Sequence, residues 1–360
     1  MKFNYFQIFK ITVELYDLII FMYKYSFFND YSEGAHPKVL ELLTKTNFDQ
    51  ESGYGEDDLT SKAAKLIKKI IKNEKAEVHF VSAGTQANLI VLASILKPYE
   101  SVIAAKTGHI NVHEAGAVEA TGHKINLVES SDAKVTVERL QEVLSGHGDE
   151  HMVKPRVVYI SNSTELGTVY YKKELKAISD FCRKNGLYLF MDGARLGSAL
   201  CSEGADLTLA DIAKLVDAFY IGGTKNGALL GEAIVLVNPE LQKNFRFHLK
   251  QRGALLAKGR ILGAQFLALF QDNLYFELAT HANKMAAKLT KAIKKAGYKF
   301  LTESKTNQIF PILPNKLIAK LQKDYGFYIW KKVDANNSAI RLVTSWATKE
   351  EKVDEFIKEL

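Results

Sequence analysis

The segment VHFVSAGTQANLIVLASIL, residues 78–96, decides how this chain folds. Val78-His79-Phe80-Val81 reads as a short buried strand. Ser82-Ala83-Gly84-Thr85 is turn chemistry, and Gln86 to Leu96 reads as a helix. A strand that passes through a Gly/Ser/Thr turn into a helix is half of a βα unit. The N–H groups at such a helix start are unpaired and sit at the positive end of the helix dipole. With the two hydroxyls beside them they suit a phosphate. No Gly-Lys-Ser/Thr follows, so this is not a nucleotide P-loop. Taken alone, the turn reads better as a plain βα connection capped by Thr85.

Outward from this segment the alternation continues. Upstream, Leu59, Ala63, Leu66, Ile67, Ile70 and Ile71 recur at helical spacing with lysines between them. Downstream, Ser101 to Ala105, Arg156 to Ser161, Leu187 to Met191 and Ala218 to Gly222 are short, apolar and followed by turn signals. Helical stretches at Lys173 to Asn185 and Leu209 to Val216 separate them. This pattern predicts an α/β fold, a mostly parallel sheet with helices on both faces. The last third differs. Ile261 to Phe270 and Phe276 to Ala296 read as long helices, Gln308 to Leu313 and Ala339 to Thr344 as strands, and a final helix begins at Lys349. We therefore expect a large α/β domain over 26–245 and a smaller C-terminal α+β domain over 246–360. A chain of 360 residues has room for both.

The composition excludes several classes. Hydrophobic residues at 47% and charged residues at 25% match a soluble globular protein rather than a disordered or polytopic membrane chain. The formal charge of +7 comes largely from lysines on helical faces such as Lys284 to Lys299, with no dense basic arm, so no nucleic-acid partner is expected. Cys182 and Cys201, the two cysteines, cannot build a disulfide scaffold or a zinc site, and fit a reducing, cytoplasmic compartment. Residues 1–25 form an N-terminal extension. Its apolar stretch from Tyr5 to Tyr23 is broken by Lys10, Glu14 and Asp17 and lacks a signal-peptide cleavage site, so no membrane span is expected. A natural extension, or a misplaced start with Met22 as the true first residue, is the expected explanation, and a membrane-surface helix is the alternative.

Two further motifs carry chemistry. In Leu189-Phe190-Met191-Asp192-Gly193-Ala194-Arg195 an aspartate sits at the carboxyl end of an apolar strand, where open α/β sheets bind their ligands. It could hold a protonated ring nitrogen, and Arg195 a substrate carboxylate; an Asp cap paired with a nearby Arg is the plainer alternative. In Phe219 to Gly227 a lysine, Lys225, stands in a glycine-rich turn after a strand. Glycines admit close backbone approach, and a desolvated lysine there becomes a Schiff-base nucleophile; by itself, a lysine in such a turn is more often a solvated loop residue. His109 and His113 with Glu114 could mimic a metal pair, but no third ligand converges and no metal is expected.

A phosphate cradle, then a strand-end Asp, then a glycine-turn Lys is the chain order of fold-type I pyridoxal-phosphate enzymes. In detail, Ser82 to Asn88 (SAGTQAN), Asp192 to Arg195 (DGAR) and Tyr54-Gly55-Glu56-Asp57 resemble the low-specificity L-threonine aldolase and β-eliminating lyase family. So do His109 with Glu114-Ala115-Gly116, and Arg341-Leu342-Val343-Thr344. The resemblance runs from about Ser26 to the C-terminus. It implies a pyridoxal 5'-phosphate cofactor on Lys225, with Asp192 at the ring nitrogen and Ser82, Gly84 and Thr85 at the phosphate. Arg252 is a further phosphate candidate. His109 is implied to stack on the cofactor near the substrate hydroxyl, and Arg195 and Arg341 to hold the substrate carboxylate. Tyr54 is implied to reach a neighbouring subunit's site, hence a homodimer or homotetramer.

Two positions depart from the family. Asn162-Ser163-Thr164-Glu165 puts Glu165, a candidate catalytic group, where the aldolases carry a second His. Phe28-Asn29-Asp30 puts Asn29 where a serine helps bind the carboxylate. The expected activity is aldol cleavage of L-threonine or L-allo-threonine to glycine and acetaldehyde, a step in threonine catabolism and glycine biosynthesis. A β-eliminating lyase or an amino-sugar aminotransferase on the same fold is the alternative. A catalytically silent binding protein is the alternative of another class, against which the intact Lys225, Asp192 and Arg195 argue.

Overall fold

The structure, a computed structural model, describes residues 23–360. The N-terminal extension lies outside the described residues except for residues 23–25. Among the described residues, a seven-stranded sheet forms the centre of the molecule. It is built from β2 (Glu77–Val81), β3 (Glu100–Ala105), β4 (Lys124–Val128), β5 (Lys154–Ser161), β6 (Tyr188–Asp192), β7 (Ala218–Gly222) and β8 (Glu232–Leu236), after a short β1 (Tyr25–Ser26) that lies elsewhere. The order across the sheet is β2-β8-β7-β6-β5-β3-β4. All neighbours are parallel except β8, which runs antiparallel to both β2 and β7.

The expected strands and helices form close to where the sequence places them. Two strands of this sheet, β4 and β8, had no counterpart in the sequence reading. β4 is an edge strand with polar residues in alternation, Lys124-Ile125-Asn126-Leu127-Val128. β8 is wholly buried, and a buried run of five residues shows no period that separates strand from helix.

Both faces of the sheet are covered, and side chains alternate between them along each strand. Val158, Ile160, Leu189, Met191, Phe219 and Ile221 belong to one core. Val157, Tyr159, Phe190, Ala218 and Tyr220 belong to the other, which includes Ala87, Ile90 and Val91 of the helix Gly84–Ile95. This alternation sends Asp192 to the same face as Phe190, towards that helix.

The smaller unit carries an antiparallel sheet of β9 (Gln308–Ile309), β10 (Ile312–Pro314), β12 (Tyr328–Lys332) and β13 (Asn337–Val343). Beside it, β1 pairs in parallel with β11 (Tyr325–Gly326), Tyr25 opposite Tyr325. Phe27 packs in the same core as Leu289, Phe327 and Phe356. The expected boundaries at 25/26 and 245/246 do not follow this packing. Phe245, Leu249, Phe266, Leu269 and Leu278 lie in the cores of the large sheet, whereas Met285 and Leu289 lie in that of the small unit. We propose that the units divide within the helix Leu274–Lys295, with the segment around Phe27 returning to the small unit.

Candidate active site

The carboxyl ends of β2, β5, β6 and β7 and the start of antiparallel β8 open onto a cavity of about 350 Å³. Its lining includes Ser82, Gly84, Thr85, His109, Glu165, Asp192, Arg195, Lys225 and Glu232. A second cavity of about 450 Å³ shares Tyr31, His109, Glu165, Arg195 and Lys225 with the first and adds His113, Tyr328, Trp330 and Arg341. These two adjoining cavities together gather most of the residues singled out in sequence.

The helix Gly84–Ile95 starts at Ala83 with no side-chain cap. Its first residues, Gly84 and Thr85, line the cavity together with Ser82, and its first N–H groups have no partner within the helix. Gln86 anchors the turn, accepting from Ser82 N–H at 3.1 Å and Ser82 Oγ at 2.9 Å. It also donates to the Arg252 carbonyl at 3.2 Å. Arg252 therefore supports the turn through its backbone. Its side chain donates to Gln251 Oε1 at 2.7 Å and does not line the cavity.

Asp192 is buried and accepts four hydrogen bonds. Tyr159 Oη donates at 2.6 Å and Asn88 Nδ2 at 3.0 Å to Oδ2; Tyr220 Oη donates at 2.5 Å and Ala194 N–H at 2.9 Å to Oδ1. Burial pushes both tyrosine hydroxyls well above their usual range, so they remain donors. Burial also acts to raise the Asp192 carboxyl, but His109, the two hydroxyls and the Ala194 N–H outweigh it and hold the group below its ordinary value. The result is a buried anion that keeps its charge.

His109 lies in the turn after β3. Its Nδ1–H donates to Glu114 Oε1 at 2.7 Å, because a carboxylate can only accept. The same oxygen accepts from Asn88 Nδ2 at 2.7 Å. Asn88 thus links Glu114 to Asp192, and His109 Nε2 is left free as an acceptor. Glu165 accepts from the His109 backbone N–H at 3.0 Å and from Ser161 Oγ at 2.8 Å. Burial raises its carboxyl above the usual range, with Asp192 adding to the effect.

Lys225 is half-buried in its glycine turn, and burial together with the Arg195 charge lowers its ammonium below the ordinary lysine value. Arg195 is oriented by Asp30, with Nε to Oδ2 at 2.7 Å and Nη2 to Oδ1 at 2.9 Å. Asn307 Nδ2 donates to the same carboxylate at 2.8 Å. One edge of the guanidinium is so committed, and Arg195 still lines both cavities. Arg341 has Tyr328 and Trp330 rings 5.1 and 5.3 Å from its guanidinium carbon. Its Nη2 donates to the Phe28 carbonyl at 3.2 Å.

Two expected residues lie elsewhere. Asn29 lines neither cavity; its Oδ1 accepts from Tyr31 N–H at 2.9 Å and Ser32 Oγ at 3.0 Å, closing a local turn. Tyr54 is exposed and borders a separate cleft with Arg246 and Leu255. Asn88, Glu114, Tyr159, Tyr220, Asp30 and Glu232 were not foreseen as site residues. Glu114, Asn88 and Asp30 carried a signal, each standing in a stretch that resembles a family motif. Among the described residues no group of three or more His, Cys, Asp or Glu is placed to hold a metal ion. None of the described helices is long and apolar enough to cross a membrane.

The donor set fits pyridoxal phosphate. An uncapped helix start faces one wall, a buried carboxylate that keeps its charge faces another, and a lysine of lowered proton affinity stands between. The architecture is that of fold-type I pyridoxal-phosphate enzymes. Thermus thermophilus aspartate aminotransferase, 16% identical, superposes with a TM-score of 0.71 over 100% of this chain and 96% of that one, a likeness of fold alone. Residues 31–315 match the beta-eliminating lyase family, and the chain belongs to it. The low specificity L-threonine aldolase of Pseudomonas aeruginosa is 33% identical over 338 residues, 93% of this chain and 96% of that protein. The structure of Leishmania major threonine aldolase is 50% identical and superposes with a TM-score of 0.92, covering 93% of this chain and 98% of that one.

Proposed function

We propose that this chain is a pyridoxal-phosphate-dependent aldolase that cleaves L-threonine or L-allo-threonine to glycine and acetaldehyde. The observation that carries the reading is the convergence on one cavity of Lys225, Asp192 and a His109 oriented by Glu114. The relatives named above support the substrate. When bound, pyridoxal phosphate supplies an electron sink for the carbanion left as the Cα–Cβ bond breaks. Lys225 is the residue to hold its aldehyde, Ser82, Gly84 and Thr85 its phosphate, and Asp192 the proton on its ring nitrogen.

The substrate carboxylate is held by Arg341 and the free edge of Arg195, both of which line the second cavity. Fixing the carboxylate fixes rotation about the Cα–Cβ bond. His109 Nε2 takes the β-hydroxyl proton, with Glu114 stabilising the imidazolium that forms. Glu165 holds the backbone of His109 in place. We assign Tyr54, exposed and outside its own chain's cavity, to a neighbouring protomer's site in a homodimer or homotetramer. The place of action is the cytoplasm, in threonine catabolism and glycine formation.

Purified protein incubated with L-threonine and L-allo-threonine should release glycine and acetaldehyde. Lys225→Ala should lose both turnover and the visible absorption of lysine-bound cofactor. 2-Oxobutanoate and ammonia as products would replace this reading with β-elimination. The absence of any glycine from cofactor-loaded protein would end it.

A further inference from the structure

Glu232 is the lining residue whose chemistry is least expected beside a phosphate. It is the first residue of β8, and the register places it opposite Val81 of β2 on one side and Gly222 of β7 on the other. Val81 runs into the Ser82–Thr85 turn and Gly222 into the turn that carries Lys225. Glu232 therefore stands between the two turns assigned to the phosphate and the reactive amine. The residue is buried, accepts the Gly223 N–H at 3.1 Å and lines the same cavity as Ser82, Gly84 and Thr85. The groups acting on it are Lys225 and Thr224 in the adjoining turn, Asp192 at the end of β6, Tyr220 on β7 and Tyr275 on the helix Leu274–Lys295.

An ionised carboxylate and a phosphate dianion repel strongly in a cavity shielded from water. A protonated carboxyl instead donates a short, charge-assisted hydrogen bond to a phosphate oxygen. We propose that Glu232 is a phosphate-binding residue that works in its protonated form, donating its carboxyl O–H to the cofactor phosphate, so that losing this proton loosens the cofactor. The inference rests on the pyridoxal-phosphate reading above. Burial pushes the Glu232 carboxyl up to about 8, with Asp192 raising it further and Lys225, Thr224 and the Gly223 N–H opposing. Below that pH the carboxyl is protonated and can donate; above it the ionised group must regain a proton for the phosphate to bind.

The test compares pyridoxal phosphate with pyridoxal, both dialysed to equilibrium against the protein across neutral and alkaline pH. Both offer Lys225 the same aldehyde, and only one carries the phosphate. The phosphate is already fully ionised in this range, its second proton being lost near pH 6. The ratio of the two Kd values, phosphate form over pyridoxal, should rise by up to about tenfold per pH unit above about pH 8 in the wild type, as linkage to one proton requires. In Glu232→Gln, which keeps an N–H donor and cannot ionise, the ratio should stay flat. A flat wild-type ratio, or the same rise in both proteins, overturns the proposal. The wild-type ratio alone decides should the variant fail to fold. If neither compound gives a visible bound absorption band, the cofactor reading falls and the proposal with it; a band with a flat ratio overturns the proposal alone.

Discussion

Glu114 Oε1 lies 2.7 Å from His109 Nδ1, and the Glu114 side chain is completely buried. A carboxylate so placed fixes the imidazole tautomer and supports its protonated form, as outer partners of catalytic and metal-bound histidines do. Glu114→Gln should lower kcat by about tenfold to a hundredfold and leave KM nearly unchanged, because the residue touches His109 and not the substrate. Steady-state kinetics with L-threonine read the split. Glu114→Asp should recover part of the loss. A rise in KM with kcat intact would assign Glu114 to substrate binding instead.

Asp192→Asn tests the electron sink. The amide oxygen can still accept from Tyr220 and the Ala194 N–H, and the amide N–H can donate to Tyr159 Oη, so the fold and cofactor retention should survive. A neutral amide cannot hold a proton on the ring nitrogen, however, and about tenfold in rate is lost for every 1.4 kcal/mol of carbanion stabilisation removed. We expect turnover to fall by orders of magnitude with the visible absorption retained. Turnover near that of the wild type would remove Asp192 from this role.

Residues whose chemistry is local were legible in the sequence. Ser82, Gly84 and Thr85 sit in one turn, Lys225 among glycines, and Asp192 at the end of an apolar strand, so neighbours along the chain gave each its meaning. The supporting residues were not legible because their partners are distant. Asn88 meets Asp192 and Glu114 only after β6 and the helix Gly84–Ile95 are packed on the same face. Asp30 meets Arg195 only because the chain near Phe27 crosses to the small unit. Glu232 was missed with its strand: without β8 nothing placed this carboxylate beside the Ser82–Thr85 turn. Asn29 erred the other way. Its neighbour Asp30 holds Arg195, while Asn29 closes the turn that presents it.

Arg341 offers a prediction on binding rather than chemistry. Its guanidinium stands over the rings of Tyr328 and Trp330, on the strand antiparallel to its own. Each contact at a partly exposed site contributes about 0.5–1 kcal/mol, and the two rings hold the group where a carboxylate can be met. Tyr328→Ala and Trp330→Ala should each raise KM by about two- to fivefold at the free-energy scale of one such contact. Little change in kcat is expected. Arg341→Lys should cost more than either, since an ammonium offers no planar pair of donors. Equal losses of kcat across the three variants would show that Arg341 acts on the reaction and not on binding.

Glu165 stands where the family resemblance implies a second histidine, and it bears on both pH dependence and reaction type. It accepts the His109 backbone N–H and the Ser161 hydroxyl, and burial raises its carboxyl above the ordinary glutamate value. The folded state therefore binds the Glu165 proton more tightly than the unfolded state does. The stability this contributes is complete below the unfolded value, about 4.3, and is lost as pH rises through the raised folded value. Glu165→Gln removes that dependence, so its melting temperature should gain on the wild type as pH rises from about 4 to 7. Denaturation across that range checks the sign, and a constant difference between the two proteins would show that Glu165 titrates normally. Glu165→His tests function at the same position. If the glutamate serves the aldolase as that histidine's counterpart, the variant should cleave L-threonine as fast as the wild type or faster. Glycine release lost in Glu165→His but retained in Glu165→Gln would show that the hydrogen bond to His109, and not a basic group, is what this position supplies.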